Sequence, residues 1–199
     1  MIRLRCTVLA AAAVTALAGC GSGDDPTIQP PPPGAAGDTV SAALVGADGS
    51  EQGTVEMEFT ADGAVLTVQA TGLPPGLHGL HVHKTGTCEP DSTDPAAPDK
   101  RGAFLSAGGH LAADGQTHGD HDGDLPSLLV RADGSARLVV ASDRLTRENV
   151  LDADGSAVMV HAEADNFGNV PDRYVAQPDE TTTKTGDAGA RLACAALTG

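Results

Sequence analysis

The sequence predicts an all-β fold, a Greek-key antiparallel β-sandwich or barrel of immunoglobulin-like type with two long functional loops. Three observations carry this expectation. Residues 54–60 alternate, with Val55, Met57 and Phe59 on one side and Glu56 and Glu58 on the other, the period of a half-buried strand. The tripeptide Ala-Asp-Gly recurs from Ala47, Ala61, Ala113, Ala132 and Ala153, and Asp-Gly supplies the positive φ of tight hairpin turns. No long stretch carries the apolar period of an amphipathic helix, and short strands punctuated by turns favour a sandwich or barrel.

The elements follow in order. Residues 39–45 read as a first strand, and 54–60 as the alternating one. Residues 64–70, 127–131, 136–141 and 157–161 complete the strand list, and 145–151 suit a single helical turn. With 3 Phe, 1 Tyr and no Trp, the core must rest on Val, Leu, Ala and Met. Two stretches with weak strand signals, 84–124 and 162–192, are the long loops, and loops of that length in a compact domain are usually functional.

The N-terminal region reads as a processing segment. Arg3 and Arg5 precede a short apolar run from Cys6 to Leu17, too short for an ordinary spanning helix. The run ends in Leu17-Ala18-Gly19-Cys20, which resembles the lipobox of bacterial lipoproteins. That resemblance implies a signal peptide over residues 1–19, lipidation of Cys20, and an exported protein anchored to the cell membrane on its extracytoplasmic side. Plain secretion and a short uncleaved anchor are the other readings. Residues 20–37 hold the run Pro30 to Pro33 among Gly and polar residues, a flexible spacer, and the folded domain is expected over 38–199.

The formal net charge is −15. A surface this acidic repels phosphate backbones, which excludes nucleic acid as a partner. An anionic small molecule would also be repelled on average and would need a local cation to guide it. No apolar edge stands out, so oligomeric state stays open. Of the 4 cysteines, Cys6 leaves with the signal and Cys20 takes lipid. Cys88 and Cys194 remain, and in an oxidising compartment they are expected to form one disulfide, two separate buried thiols being the alternative.

The 7 histidines fall in three places. His78, His81 and His83 come first, then His110, His118 and His121 with Asp124, and His161 ends an apolar run. On a strand, His81 and His83 project to the same face, and so can offer two imidazoles to one ion. His161 can deliver a third. Imidazole suits copper and zinc, and an N-rich open site suits a redox copper. His118, His121 and Asp124 with one further His suit a closed zinc site.

These segments also resemble a known family. Gly76-Leu77-His78-Gly79-Leu80-His81-Val82-His83 resembles the first copper-ligand motif of copper/zinc superoxide dismutases. Ser106-Ala107-Gly108-Gly109-His110 is similar to the bridging-histidine segment, and His121-Asp122-Gly123-Asp124-Leu125-Pro126 to the zinc-ligand segment. Met159 to Asn166 resembles the last copper-ligand segment, and Thr183 to Cys194 the C-terminal signature.

The resemblance implies an enzyme that converts superoxide to oxygen and hydrogen peroxide by copper redox cycling, and so protects the cell envelope. It implies copper on His81, His83, His110 and His161, and zinc on His110, His118, His121 and Asp124. Asp165 and His78 become supporting residues that orient ligands. Arg191 becomes the active-site arginine, acting with the bridging His110 in catalysis, and Cys88 and Cys194 the family's disulfide pair. Lys184 in the late loop is a candidate electrostatic guide. Only Gly119 and Asp120 separate His118 from His121, closer than the family's usual spacing, so whether both rings reach one ion is a question for the structure. The competing function is a non-catalytic envelope protein that binds copper or zinc with the same histidines.

Overall fold

The computed structural model describes residues 39–199, and the readings on residues 1–38 lie outside them. The chain forms β1 (Thr39–Gly46), β2 (Glu51–Thr60), β3 (Gly63–Ala70) and β4 (Gly76–His83). A hairpin of β5 (Ser92–Asp94) and β6 (Ala97–Gly102) follows, then a short 3-10 turn at Leu105–Ala107. Next come β7 (Asp124–Val130), β8 (Ala136–Ser142), the single-turn α1 (Arg147–Val150) and β9 (Ser156–His161). The short helix α2 (Glu180–Thr185) and β10 (Arg191–Leu197) end the fold.

Eight of these strands close into an antiparallel barrel in the order β1-β10-β9-β4-β7-β8-β3-β2. The expected all-β fold is thus realised as a closed barrel, which leaves no sheet edge unpaired. The Ala-Asp-Gly turns behave as read: Gly49, Gly63, Gly115, Gly134 and Gly155 all have positive φ. In two of them the aspartate also fastens the turn, since Asp48 and Asp133 each accept from the backbone N–H and hydroxyl of a serine two residues on.

Strand period sorts the side chains. Val55, Met57 and Phe59 of β2 and Leu66 and Val68 of β3 point inward, where they meet Leu80, Val82, Leu128, Val158 and Val160. Strands β4 and β9 are buried on their outer face as well. There Phe104 and Ala107 from the loop after β6 cover Ala157, Met159 and Cys194. This second cover explains why β9 is buried at every position instead of alternating. Leu80 and Val82 fill the barrel, so the intervening His81 and the next residue His83 must face outward, beneath the loops. The register places His81 opposite Met159 and His83 opposite Ala157, on that covered outer face.

The Cys88–Cys194 disulfide joins the first long loop to β10, with Cα atoms 5.6 Å apart across a sequence separation of 106. The expected pairing is therefore present. The β5–β6 hairpin and α2 lie in stretches that the sequence reading treated as loop, and β10 was not among the strands it named.

Candidate metal centre

The centre lies on the outer face of β4 and β9, roofed by the two long loops. Strand β4 delivers His81 and His83 to one side by its two-residue period. His161, the last residue of β9, stands across from Arg191. His110 reaches the same place from the first loop, where its backbone bridges to His83. All four imidazoles are buried, and one ring nitrogen of each lies within 4.8 Å of the others.

Tautomers follow from what the opposite ring nitrogens touch. His83 Nδ1 donates to the Gly108 carbonyl at 2.8 Å, and His161 Nδ1 donates to the Gly189 carbonyl at 3.2 Å. Each neutral ring then carries its lone pair on Nε2, and these two Nε2 atoms face each other at 3.3 Å. His81 Nε2 donates to Asp165 Oδ2, which leaves Nδ1 as the acceptor; that atom is buried with no hydrogen-bond partner. His110 Nδ1 donates to Asp124 Oδ1 at 2.8 Å, and its Nε2 is likewise buried and unpartnered. Four lone pairs thus converge with no proton between them. Buried acceptors left this way are costly unless a cation joins them. The imidazole set fits copper.

Electrostatics agree. Burial holds the pKa of His83 and His161 well below the usual histidine value. Burial also lowers His110, to about 4, against the opposing pull of Asp124. Neutral rings are the form that binds a metal ion.

A second group adjoins the first. His81, His110, His118 and Asp124 each offer an atom within 4.8 Å of the others. Asp124 Oδ1 is approached by His110 Nδ1 at 2.8 Å and by His118 Nδ1 and His121 Nδ1, each at 3.3 Å. His118 Nδ1 makes no hydrogen bond there, so a buried lone pair again points into the group. His121 Nδ1 also lies 3.3 Å from His110 Nδ1. The expected ligand His121 stands outside the set that lies mutually within 4.8 Å, where His81 takes its place, but its Nδ1 adjoins Asp124 and His110, so three imidazoles and a carboxylate supply the donor types of a closed zinc site. The His110 ring stands between the two groups, with Nδ1 toward this one and Nε2 toward the first.

The short link between His118 and His121 is absorbed by Gly119, at φ 89. Any Cβ there would lie 2.2 Å from the Phe167 carbonyl oxygen. Gly119 N–H and His121 N–H both donate to Asp124 Oδ2, so the carboxylate orders the turn that carries both rings. Arg144 clamps the far side through Asp120, at 2.7 Å. Burial opposes the charged form of His118, yet Asp124 and Asp165 outweigh it and raise its pKa to about 9, so without a cation Nδ1 takes a second proton, and a metal ion at that nitrogen would displace it. For Asp124 burial acts upward, but His110 and His118 hold it well below the usual carboxylate range.

Asp165 ties the groups together. Its Oδ2 accepts from His81 and its Oδ1 from His118 Nε2 at 2.7 Å. Such carboxylate contacts fix ring orientation. His78 sits behind the centre, its two ring nitrogens against the carbonyls of His161 and Pro74, and joins neither group. Arg191 is half-buried, and its guanidinium donates to the carbonyls of Phe104 and Gly108. Gly108 therefore holds both Arg191 and His83. Lys184 is exposed on α2 and pairs with Glu180 at 2.8 Å, which offsets its charge locally.

The sequence reading missed Gly186, whose φ of 62 ends α2. A Cβ there would lie 2.2 Å from both Asp165 Oδ1 and His118 Nε2, so only glycine lets the helix end close over this junction. The helix signal was present as the Asp179 N-cap and the glycine after the last turn, but the Thr-rich run between them has weak helix propensity.

A barrel that gathers two adjoining ligand groups around one shared imidazole defines the class: a β-barrel protein with a paired, histidine-rich metal centre. The description for copper/zinc superoxide dismutase matches residues 51–197 of this chain. The chain belongs to the copper/zinc superoxide dismutase family. It is 45% identical to the Cu-Zn superoxide dismutase of Mycobacterium tuberculosis, over 80% of this chain and 70% of that protein. It is 40% identical to the Cu-Zn superoxide dismutase of Mycolicibacterium paratuberculosis, over 99% of both chains. Among solved structures, the Cu/Zn superoxide dismutase of Brucella abortus is similar with a TM-score of 0.62 at 27% identity, over 80% of this chain and 99% of that one.

Proposed function

We propose that this protein converts two superoxide ions and two protons into oxygen and hydrogen peroxide, at the cell surface or envelope. The observation that carries it is the convergence of four unprotonated, buried imidazole nitrogens, one on a ring whose other nitrogen faces a second ligand group. His81, His83, His110 and His161 would hold copper, and His110, His118, His121 and Asp124 would hold zinc. Bound copper supplies one-electron oxidation and reduction, and zinc neutralises charge at the second group.

The chain's own residues do the rest. With Nδ1 anchored on Asp124, His110 has Nε2 as the one atom at which it would take up and give back a proton, so proton supply would belong to the shared ring. Asp165 fixes the rings of His81 and His118. Arg191 presents positive charge beside the first group, held there by Phe104 and Gly108. The loops bury all four rings of the first group.

The test is superoxide removal by protein reconstituted with copper and zinc, with metal content measured on the same sample. Turnover near the diffusion ceiling is expected. Stoichiometric metal with no turnover would favour a metal-binding protein without catalysis.

The location rests on Leu17-Ala18-Gly19-Cys20 and the spacer that follows. In this reading Cys20 carries lipid and residues 20–37 hold the domain off the membrane. Detergent phase partition of the full chain expressed in a bacterium tests it: wild type enters the detergent phase and Cys20→Ser does not. Equal partition of the two into water would remove the anchor.

A further inference from the structure

Helix α2 has 6 residues and buries none of them, so it has no packed face to hold it in place. A helix that short is unstable by itself in water. It nevertheless carries part of the second ligand group. The Thr183 carbonyl accepts from the backbone N–H of His118 at 2.9 Å, and Gly186 at the helix end closes over the His118 ring. Whatever fixes α2 also fixes His118.

The fixing contacts converge on Asp187, the residue after Gly186. Asp187 Oδ2 accepts from Thr182 Oγ1 of α2 at 2.8 Å and from Asn166 Nδ2 at 2.6 Å. Asn166 also donates its backbone N–H to the Gly186 carbonyl at 3.0 Å. The residues around it complete the junction: Phe167 N–H donates to Asp165 Oδ1 and Gly168 N–H to Asn166 Oδ1, each at 2.7 Å. Residues 167–168 then lie backbone to backbone against 118–119. A Cβ on Gly168 would be 2.4 Å from the His118 carbonyl oxygen, just as one on Gly119 would be 2.2 Å from that of Phe167. His118 is thus held from outside, by α2 and by residues 165–168, and not by its short link to His121.

We propose that Asn166 and Asp187 are positioning residues for the second ligand group: their amide–carboxylate bond locks α2 to the segment after Asp165 and so sets His118. One amide and one carboxylate are needed, in either order, because two carboxylates this close would repel. Asn can stand at 187 as well as Asp, since both tolerate the left-handed backbone found there, with φ 55. The first ligand group has other supports. His83 and His161 are oriented by the carbonyls of Gly108 and Gly189, so opening the lock spares copper. The inference rests on the dismutase reading for zinc as the metal of the second group, and it is read from metal binding without turnover.

The experiment compares the full chain as wild type, as Asn166→Asp, and as the exchanged pair Asn166→Asp with Asp187→Asn. Zinc and copper affinities are measured by chelator competition. Cobalt(II) is then loaded in place of zinc, because its visible absorption is strong only when it is four-coordinate and so reports the ligand geometry. In Asn166→Asp zinc affinity falls by about tenfold or more, while copper affinity stays within about threefold of wild type. Cobalt absorption weakens in the same variant. The exchanged pair returns zinc affinity to within about threefold of wild type and restores the cobalt band. Unchanged zinc affinity and cobalt absorption in Asn166→Asp would overturn the proposal, and so would a loss that the exchanged pair does not repair. A loss as large for copper as for zinc would overturn the assignment to the second group. A wild type that takes up both metals but turns over no superoxide would overturn the dismutase reading instead, and the zinc comparison would still decide the case of Asn166 and Asp187.

Discussion

Asp165 accepts from one imidazole of each ligand group, so a change at this one carboxylate reaches two metal sites. Asp165→Asn keeps the shape but offers one oxygen where two are used, and turns an N–H group toward a ring that also donates. Affinity for both copper and zinc should fall by about 10- to 100-fold, measured by chelator competition. A loss confined to one metal would show that Asp165 positions only one ring. Gly186 tests the same junction from above. Gly186→Ala costs about 1–2 kcal/mol for its left-handed backbone, as at any such turn. It also drives a methyl group into Asp165 and His118. Gly49 has a similar φ of 79 with open space around it, so Gly49→Ala isolates the backbone cost. Zinc content should drop in Gly186→Ala and stay whole in Gly49→Ala.

Among the elements, the first long loop matters most, because it carries Gly108 and His110 and is stapled to β10 by Cys88–Cys194. In the chain-entropy account, closing a loop of 106 residues contributes about 4.7 kcal/mol. Cys88→Ser should lower the melting temperature by about 10 °C or more, read by calorimetry. Copper affinity should fall with it, since Phe104 and Gly108 lose their tether. The alternating β2, the Asp-Gly hairpins and the His81/His83 pair were legible in the sequence because each follows from a local period or a local turn. Strand β10 was not, because Ala193, Cys194 and Ala195 are all buried, which removes the alternation that marks a strand. The β5–β6 hairpin is short and polar, with three- and six-residue strands that carry no period. At the centre, ligand types were readable from motifs. The contribution of Gly108 and Gly186 was not, because it arises from contacts between loops far apart in sequence.

At the scale of the whole molecule, two fields oppose each other at the mouth of the centre. The acidic surface repels superoxide from every side, whereas the Arg191 charge beside the first ligand group attracts it over a short range. Salt separates them by distance. At 0.01 M the Debye length is about 30 Å, so most of the molecule's carboxylates act on an approaching anion. At 0.1 M it is about 10 Å, and only charges at the entrance still act. The rate should therefore fall steadily as ionic strength rises from about 0.1 M to about 0.5 M, because in that range added salt weakens chiefly the short-range attraction at the centre. Stopped-flow decay of superoxide at constant pH and full metal occupancy measures it. A rate that stays flat or climbs through that interval would mean that the entrance cations do not steer, and that access is set by the net charge of the barrel.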